Sequence, residues 1–158
     1  MPEIPGLGRR GGGWVVLQFV LMAAVALGAA FGPSWPGAVE RPFAVVGVLA
    51  ALAGVVLGVA SGRALGSSLT PFPRPSSSGR LVERGPYRVV RHPIYSAGAL
   101  VFAGVSAVFS PLAMLVTAGL VLTWALKSGV EERFLLAAYP AYQGYASRVR
   151  YRLIPRLY

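Results

Sequence analysis

The sequence predicts an all-α polytopic membrane protein, with about four transmembrane helices and an interfacial, helical C-terminal tail. Three observations predict it. First, 55% of the 158 residues are hydrophobic, only 13% are charged, and the mean hydropathy is +0.62. That charged share is about half the usual value for soluble domains. A chain this short has too small an interior to hide so much apolar surface from water, whereas a bilayer can take it. Second, four apolar stretches of nearly spanning length follow one another. Third, arginines gather between and after them. One membrane-embedded domain over residues 1–158 is expected, without a separate soluble domain.

The spans are expected at residues 14–31, 43–60, 94–109 and 112–130. Each approaches the roughly 20 residues that cross the hydrocarbon as a helix. Strands are excluded there because lipid offers nothing to an unpaired backbone group. Arg9 and Arg10 before the first span imitate a signal peptide, and Ala29-Ala30 offers small residues for cleavage. The run is longer than a signal core, so a retained first span is expected. In the second span Gly54 and Gly58 have the spacing that lets helices approach closely. The third span is short, which calls for a start at Pro93 or a thinned bilayer.

The connection over residues 61–93 has two parts. Thr70-Pro71-Phe72-Pro73-Arg74-Pro75, followed by Ser76-Ser77-Ser78-Gly79, cannot be regular helix, because proline removes donors and serine and glycine favour turns. Residues 81–95 are more structured. The tail over 131–158 alternates aromatics with arginines; it reads as helix to about Arg150, broken at Pro140, and suits an interface.

Charge sets the expected orientation. Arg63, Arg74, Arg80, Arg84, Arg88 and Arg91 fall in the middle connection. Arg133, Arg148, Arg150, Arg152 and Arg156 fall in the tail. The connection over 32–42 has only Arg41, offset by Glu40, and Ser110-Pro111 has no charge. Positive residues stay inside, so both termini and the middle connection are expected to be cytoplasmic. The net charge of +10 fits contact with anionic headgroups. Nucleic acid is a poor partner, since the arginines flank apolar segments instead of forming one face. No obligate protein partner is inferred. The absence of cysteine and the lone histidine exclude thiolate and multi-histidine metal sites, so no metal is expected.

Three constellations carry candidate chemistry, and all belong to the expected cytoplasmic boundary. In Arg91-His92-Pro93-Ile94-Tyr95, proline bars helical geometry at His92 and suits the first helical position after it. His92 should therefore stand at a helix start, where free N–H groups favour a carboxylate or phosphate. Glu131-Glu132 ends the fourth span, where acids oppose the helix dipole. Either the helix continues, or an acid serves a cationic or hydroxyl-bearing ligand, or the pair is a solvated end balanced by Lys127 or Arg133. Tyr142 and Tyr145 share a helix face in the tail, near Arg148 and Arg152. Each group alone also reads as interfacial anchoring. Together they offer an anion-binding helix start, acids and an aromatic lid.

The runs 85–98, 131–135 and 139–155 resemble the isoprenylcysteine carboxyl methyltransferase family and its phospholipid N-methyltransferase relatives. The resemblance covers roughly residue 69 to the end. It implies a membrane enzyme using S-adenosylmethionine, with His92, Pro93 and Tyr95 lining the cofactor pocket. Glu132, with Glu131, contacts the cofactor, and the tail around 142–152 closes over it. Tyr87, Arg91, Tyr142 and Tyr145 complete the expected cofactor set. Family members commonly carry Phe-Gly before the tail tyrosines; here Tyr139-Pro140 takes that place.

On this reading Arg91 and His92 hold the cofactor's carboxylate at the helix start. Glu131 serves as the base for an amine acceptor, and Arg148 and Arg152 steady an acidic one. The acceptor is a lipid or lipid-like molecule entering from the bilayer: a prenyl or lipid carboxylate, or a lipid amine. Two alternatives stand beside this. The ending 150–158 resembles that of NADPH-dependent membrane sterol reductases, although the acidic pair and the short chain favour the methyltransferase. A non-enzymatic four-helix membrane protein is the other.

Overall fold

The computed structural model describes Pro5, residues 7–77 and residues 79–156; Ser78, and Leu157 and Tyr158 of the reductase-like ending, lie outside the described residues. The described chain is all-helical, the architecture of a polytopic membrane protein. Helices α1 (Gly12–Phe31), α2 (Gly37–Leu65), α3 (Pro93–Phe109) and α4 (Pro111–Ala138) are followed by the short α5 (Tyr142–Arg148). Two 3₁₀ turns, Gly66–Ser68 and Gly85–Arg88, punctuate the connection between α2 and α3. Helix α1, the segment Gly37–Ser68 and helix α4 are long and apolar enough to cross a membrane; α3 is apolar but shorter.

The helices overrun the expected spans at charged ends. Helix α2 begins at Gly37 and ends at Leu65, carrying Glu40 in its first turn and Arg63 in its last. Hydropathy falls at these residues, but each complements the dipole at its end, so the helix continues through them. Pro42 sits inside this helix, near its start. Helix α4 likewise runs through Glu131-Glu132 to Ala138. The two acids are thus not at a helix end, and the clash with the dipole disappears. Helix α3 starts at Pro93, with His92 as its N-cap. The tail is interrupted around Pro140, and only Tyr142–Arg148 resumes as helix, short of the expected Arg150.

Helix α2 packs most extensively on α3, α1 packs on α4, and the α3–α4 contact joins the two pairs. Small residues make the α2–α3 approach possible. A Cβ on Gly104 would lie 2.5 Å from the Gly47 carbonyl oxygen and 2.6 Å from the Ala51 nitrogen. The neighbouring atoms are backbone and cannot step aside. Gly104→Ala is therefore expected to cost about 1–3 kcal/mol, seen as a lower thermal midpoint in detergent; an unchanged midpoint would refute this contact. Gly54 meets Ala97 and Val101 in the same seam, whereas Gly58 makes only ordinary contact. Ser110 alone links α3 to α4, and its hydroxyl accepts the Leu112 N–H at 3.2 Å, capping α4.

The outer faces are apolar. Val45, Val46, Leu49, Leu52 and Val56 of α2 are exposed, the pattern of a lipid-facing surface. The core between α1 and α4 centres on Val25, Ala113, Leu120 and Trp124, and Leu153 of the tail joins it.

Candidate functional site

The site forms where α3 begins and α4 approaches its end. Proline at the first helical position places His92 at the cap, and the backbone before the helix is claimed by the tail. The Arg91 N–H donates to the Tyr151 carbonyl at 2.9 Å and the His92 N–H to the Arg152 carbonyl at 2.8 Å. The Ser96 hydroxyl donates to the Leu153 carbonyl. The tail is thereby stitched across the start of α3. The N–H of the cap residue His92 is thus taken by the tail and is closed to an anion.

Glu132 is the hub of the clasp. Its carboxylate receives Arg91 Nε at 2.7 Å and Arg152 Nη2 at 2.9 Å, and His92 Nε2 lies 3.3 Å away. The Arg91 guanidinium reaches further, donating through Nη1 to the carbonyls of Val149 and Arg150, both at 2.7 Å. Arg91 and Glu132 are nearly sequestered, with side-chain exposures of 9% and 10%. Burial makes such a charge-assisted cluster costly to break.

Glu131 is placed differently. It lines the cleft, accepts the Tyr95 hydroxyl at 2.8 Å, and has His92 Nδ1 at 3.7 Å. The rings of His92 and Tyr95 stack with centroids 5.6 Å apart, and Tyr95 stacks in turn on Trp124 at 5.9 Å, both nearly parallel. One acid is thus consumed by the tail while its neighbour faces the cleft.

The cleft is open on one side, and its empty space of about 750 Å³ includes that open mouth. Tyr87, Arg91, His92, Tyr95, Tyr142 and Tyr145 all line it. Its apolar wall comes from Leu65, Ile94 and Leu135, at the ends of α2, α3 and α4. Pro93, expected to line the pocket, is instead fully buried and does not reach the cleft surface, because its ring packs as the first residue of α3. The Tyr145 hydroxyl donates to the Tyr87 carbonyl at 2.7 Å, tying α5 to the turn over Gly85–Arg88. Gly85 opens that turn at φ +60°, which few other residues tolerate.

The Tyr142 hydroxyl is buried and has no hydrogen-bond partner. Burial pushes the Tyr142 phenol well up, with Glu132 adding to it, and burial likewise raises Tyr87 and Tyr145. These phenols stay neutral at physiological pH, and that of Tyr145 donates a hydrogen bond.

The tail arginines do not gather at the cleft. Arg148 is exposed and pairs with Glu83, and Arg152 is bonded to Glu132. The cleft-lining arginines are Arg91 and Arg80, and the second was not singled out from the sequence, where it is one of many basic loop residues. Lys127 was read only as a surface counter-charge for the acids. It is fully buried, donating to Gln18 Oε1 at 2.6 Å and the Pro71 carbonyl at 2.7 Å. Its signal was available: it is the sole lysine and sits inside an apolar run.

A model of the phospholipid methyltransferase family matches residues 43–142, from α2 to the first residue of α5. The chain belongs to the phospholipid methyltransferase family. This family of membrane methyltransferases covers His92, Tyr95, both acids and Tyr142, while α1 and the end of the tail lie outside the match. The chain is also similar to the cobalt-zinc-cadmium resistance protein CzcN of Cupriavidus metallidurans, at 41% identity over 81 residues. That match covers 49% of this chain and 36% of the relative, so the chain spans little more than a third of the relative's length.

Proposed function

We propose that the protein transfers a methyl group from S-adenosylmethionine to a membrane-partitioned acceptor, in the cleft at the cytoplasmic ends of α2, α3 and α4. The observation that carries this reading is the unpaired, buried hydroxyl of Tyr142 in a cleft that the Glu131 carboxylate also lines. A buried polar atom without a partner is costly unless a ligand satisfies it. Residues present fit the cofactor: Glu131 and the Tyr142 hydroxyl suit hydroxyl and amino groups, and the tyrosine and histidine rings suit a flat base or a cation. When bound, the cofactor supplies an electrophilic methyl on a cationic sulfur.

The chain's own part is binding, alignment and exclusion of water. Gripping the sulfonium tightly would oppose a reaction that disperses its charge, so the carboxylate serves best at the cofactor's polar groups. Glu131 is also the cleft carboxylate able to take a proton from an amine acceptor. The tail arginines expected to steady an acidic acceptor are engaged elsewhere, and Arg80 is better placed for that task. The apolar wall of Leu65, Ile94 and Leu135 supports an acceptor whose chain stays among the helices: a prenyl or lipid carboxylate, or a lipid amine. Six arginines over residues 61–93 and five over residues 131–158 support cytoplasmic placement of the cleft and of both termini.

Thermal-shift titration of detergent-purified protein tests the cofactor. S-adenosylhomocysteine is expected to raise the midpoint and NADPH to leave it unchanged; the reverse would favour the reductase. Labelled methyl transfer into extracted lipids then identifies the acceptor class. Tyr142→Phe separates folding from binding. Removing an unpaired buried hydroxyl is expected to leave the ligand-free protein equally or more stable. The same change should weaken S-adenosylhomocysteine binding by about five- to ten-fold, and unchanged affinity would remove Tyr142 from the site.

A further inference from the structure

Lys127 is the most buried charge in the described chain, and it lines no part of the cleft. An ammonium group inside a membrane helix is expensive and marks function when its partners are specific. Here the partners are specific. The ammonium donates to Gln18 Oε1 and the Pro71 carbonyl, and it lies over the Tyr95 ring, whose centroid is 5.4 Å from Nζ. That distance is within reach of a cation–π attraction. Gln18 Oε1 also accepts Trp124 Nε1 at 3.3 Å, and Trp124 stacks on Tyr95. One oxygen of α1 therefore fixes both groups that brace Tyr95 from behind. The front of Tyr95 donates to Glu131, the cleft carboxylate. Pro71, the other partner, belongs to the loop whose neighbours Leu69, Thr70 and Phe72 line the same cleft.

We propose that Lys127, held by Gln18, is a positioning residue that fixes Tyr95 and the Pro71 loop in ligand-binding geometry, so that affinity of the cleft depends on a charge that touches no ligand. This rests on the cofactor reading above. Gln18 lies outside the residues matched by the family, so the brace is a contribution of this chain's first helix. A positive charge on the ring face strengthens the phenol as a donor, which orients Glu131.

The test is calorimetric titration of the full chain in detergent with S-adenosylhomocysteine, using wild type, Lys127→Met, Tyr95→Phe and the double variant. Lys127→Met is expected to weaken binding about ten-fold, and adding Tyr95→Phe should weaken it by less than about two-fold more. Trypsin should also cut faster at Arg80, at the far end of the released loop. Wild-type affinity in Lys127→Met, or losses that multiply in the double variant, would overturn the proposal. If wild type itself binds no S-adenosylhomocysteine, the cofactor reading fails first and takes this inference with it. Should Lys127→Met not stay monodisperse, Gln18→Leu removes the brace while keeping the lysine and is read by the same outcomes.

Discussion

Glu132→Ala is expected to destabilise the protein by about 3–5 kcal/mol and to free the C-terminal tail. The carboxylate is the shared partner of Arg91 and Arg152 and lies against His92. Deleting it strands the Arg91 guanidinium at 9% exposure beside carbonyls that cannot neutralise it. Those carbonyls belong to Val149 and Arg150, so the tail loses its hold as the arginine relaxes toward water. Trypsin should then cleave at Arg148 and Arg150, and the thermal midpoint should fall sharply. A tail that resists trypsin as well as wild type does would show that the backbone bonds of Arg91 and His92 suffice to hold it. Ligand binding should fall too, because Tyr142 and Tyr145 line the cleft from the tail side.

Glu131→Gln, one residue away, should do the opposite. The amide oxygen can still accept the Tyr95 hydroxyl, so the stack of His92, Tyr95 and Trp124 is expected to persist and the tail to stay protected. The lost charge faces the cleft. A hydrogen bond to a charged group is worth about 1.5–3 kcal/mol, so affinity for S-adenosylhomocysteine should fall by roughly ten- to a hundred-fold. The discriminating result is the pair: Glu132→Ala lowers the midpoint and exposes the tail, while Glu131→Gln lowers affinity with the tail intact. If Glu131→Gln binds as wild type, Glu131 has no ligand role.

These two neighbours show why part of the site was legible in the sequence and part was not. Proline after His92 dictates a helix start there, and that is a local steric fact. The acids were visible as anomalies because charged residues are rare in this chain. Their division of labour was not visible. Successive helix residues point about 100° apart, and which one meets Arg91 depends on how α4 is rotated against α3. The same holds for Arg148 and Arg152, four residues apart in the tail and engaged with Glu83 and Glu132 respectively. Lys127 was misread for a related reason. Its i,i+4 spacing to Glu131 invites a surface pair, but α1 and the proline-rich loop close over it and supply neutral acceptors instead.

The amino-acid order alone determined that the chain is helical and belongs in a bilayer, since apolar length and the cost of unpaired backbone in lipid leave no other solution. It also determined the proline-marked start of α3 and the break near Pro140, because both follow from what proline forbids its neighbours. The helix ends were decided in part by charge at their termini, which hydropathy counts as a stop and the dipole counts as a fit. Only the tertiary structure decided which acid is buried in the clasp, which faces the cleft, and that a lysine of α4 meets a glutamine of α1 over the Tyr95 ring. Those choices rest on side chains far apart in the chain, brought within a few ångströms by helix packing against Gly47, Gly54 and Gly98.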